Sequence, residues 1–339
     1  MCIRDRVGLG VGMGQALLSP RLAGTCVDDS CFSAPNRFAR RMGLGRSLKS
    51  TRPHLVHAQF GHLALDFLPV IAARNIPLVV SFRGQDMLLV SRTRARSRDA
   101  LFDYASRVLA RSHDMRNELL CLRCPADKVF VHPSGIDVPR IPFHERRSPP
   151  AGRDVLLLMA GRLVKKKGMA DALRAMAVCR PAGQGLQLRI AGDGPERSRL
   201  EHLVEELGLH ERVRFLGALS HNALIQEMAS AHLFILPCRR AADGESEGVP
   251  NVLKEAQATG LPVLSTRHAG IPECVVHEET GTLVPEGDSD ALGQGLDDLL
   301  THADLWPDMG RKGRARMAEH YDLQTLALKL IAHYHAVLG

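Results

Sequence analysis

Long apolar runs are missing from this chain. No stretch of its 339 residues reaches the roughly 18 apolar residues that a membrane-crossing helix needs. The segment from Val7 to Leu18 is apolar but short and glycine-rich, neither a span nor a convincing signal peptide. The cytoplasm is therefore the expected compartment. Aromatic residues are scarce, at 4% with a single Trp, and no recognised nucleic-acid motif occurs, which argues against nucleic acid as a partner. Cysteine lacks the pattern of a metal site. Eight are scattered, and the one CxxC, Cys121 and Cys124, has no second pair to complete a zinc set. Without a secretory signal, reduced thiols are expected. A dinucleotide fingerprint is missing too: Gly8, Gly10, Gly12 and Gly14 recur at every second residue, never as G-x-G-x-x-G, and no strand precedes them.

What is present is the composition of a soluble globular protein, 45% hydrophobic and 24% charged, long enough for two domains of about 150 residues. Charge is unevenly divided. Residues 1–150 carry 23 Lys and Arg against 12 Asp and Glu, a net of +11, whereas the remainder carries 21 against 25, a net of −4. A basic first half suggests an anionic partner. A phospholipid surface and a phosphate-bearing acceptor both fit, and a basic surface kept only for solubility is the plainer alternative.

From His54 onward, strands and helices alternate. His54–Gln59, Pro77–Phe82, Arg107–Arg111 and Val129–His132 read as strands, with Leu63–Arg74 and Asp114–Leu122 as helices. Ile141–Arg153 is rich in Pro and Gly, lacks periodicity and reads as a linker. A second series follows, with strands at Asp154–Ala160, Leu186–Ala191, Val213–Leu216, His232–Leu236 and Pro262–Ser265. Helices fall between them at Met169–Val178, Glu196–Leu207, Ala223–Ser230 and Asn251–Ala258. Such alternation predicts parallel sheets covered by helices, hence two doubly wound α/β domains facing across a cleft. Leu323–Leu338 is a further amphipathic helix, beyond the point where the second sheet should be complete. No opening strand is legible before His54.

Three stretches carry chemistry. The first, G-E-S-E-G-V-P-N-V-L-K-E-A at 244–256, runs from a loop into a helix with Pro250 in its first turn. The amides after Glu247 would face outward at a helix start, ready for phosphate or a sugar hydroxyl, and Glu255 would reach a ribose diol. The second, A-G-R-L-V-K-K-K-G at 160–168, follows a strand and sets Arg162 and Lys167 toward an anion. The third, I-A-G-D-G-P at 190–195, puts Gly192 at the same edge. Each alone has a plain reading as a capped surface helix, a solvated basic turn or an ordinary glycine turn.

Together, GRLVKKKG, IAGDGP, VRFLGALS, EGVPNVLKEA, TGLPVLSTRHAGIPE and GTLVPEGD resemble the donor domain of glycosyltransferase family 4, almost continuously from residue 154 to about 300. HLVHAQFG, IPLVVSFRGQD and VHPSGIDV resemble its first half more loosely. The resemblance implies the GT-B fold, with an acceptor-side domain over 1–145, a nucleotide-sugar domain over 151–320, and a final helix, 321–339, returning to the first domain. It implies a retaining transferase moving a sugar from a nucleotide-sugar to a lipid-linked or polymeric glycan in cell-surface polysaccharide synthesis. No cofactor or metal is expected, and the protein would sit in the cytoplasm or at the inner membrane face.

Matched to the family's motifs, Arg162 and Lys167 grip the donor diphosphate and Glu255 binds the ribose. Glu247 faces the transferred sugar, Gly248 and Val249 lend backbone contacts, and the Phe215-Leu216-Gly217 turn lies beside the base. Asp288-Ser289-Asp290 looks like the DxD of metal-dependent transferases, but reads better as a helix cap. The family's usual His-Gly followed by Asp is here Arg83-Gly84-Gln85-Asp86. Arginine cannot act as a base but can hold a phosphate, so Arg83 and Asp86 are acceptor-side candidates. The family's opening strand and glycine-rich loop are not found, which suggests a shortened start. A sugar-nucleotide epimerase of the same fold, or an inactive nucleotide-binding scaffold, are the alternative readings.

Overall fold

A computed structural model of the chain describes residues 2–3, 37–150, 152–179, 185–244 and 246–339. The alternating glycines at 8–14 and the segment from Val7 to Leu18 lie outside the described residues. The chain divides into two compact units, one of residues up to His132 together with Leu328–Gly339, the other Pro133–Ala327.

The first unit runs β1 (Cys2–Ile3), α1 (Arg37–Thr51), β2 (Val56–Ala58), α2 (Gly61–Ala72), β3 (Leu78–Ser81), α3 (Gly84–Ser91), α4 (Ala95–Tyr104), β4 (Arg107–Ala110), α5 (His113–Cys121) and β5 (Val129–Val131). Its strands are parallel and lie in chain order, β1 to β5. Two-residue β1, paired Cys2 to His57, is an opening strand that alternation could not reveal, since two residues carry no period. Parallel strands are covered on both faces and so lose polar alternation; Leu78–Ser81 is buried throughout. Val80, Val108 and Ala110 meet the helices, packing with Phe67, Leu101 and Leu119. Val79 and Leu109, on the other face, pack with Leu330, Tyr334 and Val337 of the last helix.

The second unit runs β6 (Val155–Ala160), α6 (Met169–Val178), β7 (Leu186–Ala191), α7 (Arg197–Glu206), β8 (Val213–Gly217), α8 (His221–Ser230), β9 (Leu233–Leu236), α9 (Asn251–Ala258), β10 (Val263–Thr266), α10 (Ile271–Cys274), β11 (Gly281–Val284), α11 (Ser289–Thr301), α12 (Trp306–His320) and the start of α13 (Leu323–Leu338). Six parallel strands are ordered β11-β10-β9-β6-β7-β8. This is a doubly wound sheet whose direction of winding reverses between β6 and β9.

The segment read as a linker is tied into this unit. Arg146, 5% exposed, donates to the carbonyls of Met228, Ala229 and Thr259, and His144 N donates to Thr259 O. Pro and Gly hid this, because beyond Ile141, which joins a buried apolar cluster, the segment is held through backbone carbonyls. Helix α12 was hidden by its own glycines. A Cβ on Gly310 would stand 2.5 Å from Gly260 O, so the breaker residues are what let α12 lie close to the end of α9.

Candidate functional site

In a doubly wound sheet a ligand lies outside the carboxyl ends of the strands, where the winding reverses. Here that point lies between the loops after β6 and β9. The loop after β6 turns at Gly161 into a 3-10 turn, Lys165–Lys167, and ends at Gly168. Gly168 has φ +66°, and a Cβ on it would stand 1.8 Å from Pro237 O. Only glycine lets the two loops approach so closely. Arg239 N closes the approach by donating to Lys166 O at 2.9 Å.

Across this junction Lys166 Nζ lies 3.3 Å from Glu247 Oε1, and Lys167 Nζ lies 3.1 Å from Glu247 Oε2. The two lysine side chains are 11% exposed and that of Glu247 19%. Burial by itself would raise the Glu247 carboxyl, but Lys167 and Lys166 together outweigh it and hold the group below the usual carboxylate range. Lys167 and Glu247 were expected at this edge; Lys166 was missed, although the Lys165-Lys166-Lys167 run offered it.

The neighbouring loops form a backbone ledge. Gly161 N donates to Ala191 O, Leu163 N to Asp193 O, and Gly192 N to Gly217 O, at 2.7–2.9 Å. Gly192 has φ +138° and its Cβ position would fall 1.9 Å from Gly161 O, so this contact also requires glycine. Arg162 projects from the ledge as an exposed residue, and no hydrogen bond of its guanidinium is present among the described residues. Phe215 is covered by the Arg197 guanidinium, 4.4 Å above its ring centre.

Gly248 and Val249, both half-buried, lead into α9. Pro250 stands at the N-cap, one position before the first turn where it was expected, with φ −60° and ψ 130°. Lys254, fully buried, points its Nζ to Ser134 O, Ser134 Oγ and Asn251 Oδ1. Glu255, next along the helix, is 13% exposed at its side chain and lies 3.3 Å from His221 Nε2 at the start of α8. His221 was not singled out in the sequence; nothing in its immediate context marks it. Asp288 accepts from Ala291 N at 2.9 Å and caps α11.

The acceptor-side candidates lie in the first unit. Asp86 is fully buried. Its carboxylate accepts from the backbone nitrogens of Gly61, His62 and Arg83 and pairs with His62 Nδ1 at 2.5 Å. These contacts make Asp86 the clamp of the loops after β2 and β3. Arg83 donates to Gln59 O and Gln59 Oε1, with its guanidinium 5.1 Å from the centre of the Phe60 ring.

The sequence profile of Glycosyl transferases group 1 matches residues 141–316, and that of Glycosyltransferase Family 4 matches residues 29–140. A putative colanic acid biosynthesis glycosyltransferase of Salmonella typhimurium, WcaL, is 32% identical over 214 residues, covering 62% of this chain and 52% of that protein. The amylovoran biosynthesis glycosyltransferase AmsK of Erwinia amylovora is 33% identical over 192 residues, covering 57% and 47%. The chain thus spans about half the length of the curated relatives it matches. Among solved structures, HepE of Anabaena in complex with UDP superposes with a TM-score of 0.75 at 19% identity, over 88% of this chain and 82% of that one. Sucrose-phosphate synthase of Thermosynechococcus elongatus gives 0.72 at 22%, over 88% and 78%. The likeness is one of fold, that of GT-B.

Proposed function

Because the chain belongs to glycosyltransferase family 4, with a group 1 glycosyl transferase profile spanning residues 141–316, we propose that it transfers a sugar from a nucleotide-sugar donor. The acceptor is a lipid-linked or polymeric glycan, and the product a cell-surface polysaccharide. The observation that carries this reading is the pairing of Lys166 and Lys167 with Glu247 at the reversal of the second sheet.

Breaking a sugar–phosphate bond builds negative charge on the departing diphosphate. Lys167 and Arg162 are assigned to that charge, with the amides entering α9 beside them; fixed cations and dipoles stabilise it without reorganising. As the diphosphate takes over Lys167, the Oε2 oxygen of Glu247 is released to face the transferred sugar while Lys166 still holds Oε1. Glu255 is assigned to the ribose, and Gly192, Gly217, Gly248 and Val249 to backbone contacts. The reaction proceeds with retention of configuration and needs neither metal nor cofactor. The relatives' names, colanic acid and amylovoran biosynthesis, support the polysaccharide product. UDP in HepE supports a nucleoside diphosphate leaving group.

Among the described residues no helix is long and apolar enough to cross a membrane. The basic first half, net +11, would bring the protein to the anionic inner face of the membrane and to a lipid-linked acceptor. Replacing Arg162 or Glu255 with Ala abolishes transfer, measured as release of nucleoside diphosphate and labelled glycan, while the melting temperature stays within a few degrees of wild type. Undiminished transfer by either variant refutes the site. Free altered sugar released without acceptor would mark an epimerase, and nucleotide binding without any turnover a scaffold.

A further inference from the structure

His268 follows β10 and is 3% exposed. Its Nε2 lies 2.9 Å from Ser246 Oγ and 3.3 Å from the backbone nitrogen of Glu247. A backbone N–H can only donate, so Nε2 accepts and carries no proton. The ring proton is then on Nδ1, which donates to Glu286 Oε2. The same oxygen accepts from Arg240 N at 3.1 Å. Thr266 Oγ1 also donates to Cys238 O, so the loops after β9, β10 and β11 are braced together. Ala269 holds φ +46°, a left-handed conformation that costs a residue with a Cβ about 1 kcal/mol.

We propose that His268, oriented by Glu286, is the positioning residue for Glu247, and that it serves in its neutral, Nδ1-protonated form. This rests on the reading of the 161–168 and 244–256 loops as the donor site. Glu247 is then fixed at both ends, its carboxylate by Lys166 and Lys167 and its amide by His268. When the diphosphate takes Lys167, the amide contact together with Lys166 keeps the carboxylate aimed at the sugar. Protonation at Nε2 sets an N–H against the N–H of Glu247 and breaks that contact.

Burial, the largest influence, drives the proton off His268. Arg240 on the β9 loop acts the same way, while Glu286 on the β11 loop and Glu247 favour the proton; the net effect lies below the ordinary imidazole range. The site therefore works at neutral pH and loses the contact only below the ordinary imidazole range. Glu286→Gln keeps an acceptor oxygen for Nδ1 but removes the charge, which lowers the imidazole further.

The test uses the full chain as wild type, His268→Phe, His268→Gln and Glu286→Gln. It measures amide exchange over residues 246–249 and steady-state turnover of UDP-glucose, UDP-galactose and GDP-mannose. His268→Phe speeds exchange at 246–249 by about tenfold or more and lowers kcat roughly 100-fold, with KM changed less than about threefold. His268→Gln, whose Oε1 can accept from Glu247 N in place of Nε2, restores the protection and at least about a tenth of the wild-type kcat. Glu286→Gln moves the acid limb of the pH profile to lower pH. The proposal is overturned if His268→Gln is no better than His268→Phe, if exchange in His268→Phe matches wild type, or if the acid limb of Glu286→Gln stays or rises. If the wild type turns over none of the three sugar nucleotides, the donor-site reading fails on its own, and the exchange measurements still decide whether His268 holds the loop.

Discussion

At the scale of single residues, the site depends on backbone approach as much as on charge. Lys166 and Lys167 reach Glu247 because the loops after β6 and β9 touch, and they touch because Gly168 offers no side chain to Pro237 O. Gly168→Ala must both hold a left-handed backbone and displace a carbonyl oxygen that would lie 1.8 Å from its Cβ. Urea unfolding should show a loss of about 3 kcal/mol. Binding of UDP or GDP, followed by the rise in melting temperature at fixed ligand concentration, should weaken in parallel. A variant as stable as wild type would mean that the loops part at little cost.

At the scale of elements, α11 and α12 show how a local rule and a packing rule divide the work. Helix α11 starts where its sequence says it should, with Asp288 capping Ala291 N. Replacing Asp288 with Ala should cost about 1 kcal/mol of stability and leave turnover untouched; since Asp288 is engaged as a cap, added Mg²⁺ or chelator should change neither variant's rate. A tenfold fall in turnover, restored by Mg²⁺, would return the Asp288-Ser289-Asp290 stretch to the site. Helix α12 is the opposite case. Its glycines weaken a helix by propensity, and the neighbouring end of α9 supplies the surface they fit.

At the scale of the whole molecule, the two units differ in how strongly they respond to acid, since His232 and His268 of the second are lowered less than His57 and His132 of the first. In the first, His57 and His132 are almost wholly buried. Burial foremost, with the Arg111 charge second, pushes each down to about 3. The unfolded chain titrates these groups near 6.5, so below that pH it takes up protons that the folded unit refuses, and stability falls continuously toward pH 3. Between pH 7 and 5 each histidine should cost up to about 2 kcal/mol. The single Trp, Trp306, sits fully buried in the second unit and reports on that unit alone. Amide exchange of β2 to β5, corrected for its intrinsic pH dependence, should therefore show protection lost at pH 5 before Trp306 fluorescence changes. Unaltered protection would mean that the two imidazoles ionise without unfolding.

The alternation of strands and helices, the parallel sheets and the ends of most elements are legible in the amino-acid order, because apolar periodicity and caps are local. That order also placed Arg162, Lys167, Glu247 and Glu255 on loops and a helix start that follow strands, since those motifs run contiguously. Tertiary structure alone decided that Lys166 shares the Glu247 carboxylate, that Asp86 clamps the loops after β2 and β3, and that Glu255 meets His221. It likewise decided that His268, quoted within a motif and given no role, holds the Glu247 amide. Each of these pairs is brought together by strand order, from positions 21 to 81 residues apart. Separation along a chain carries no record of which loops a sheet will set side by side.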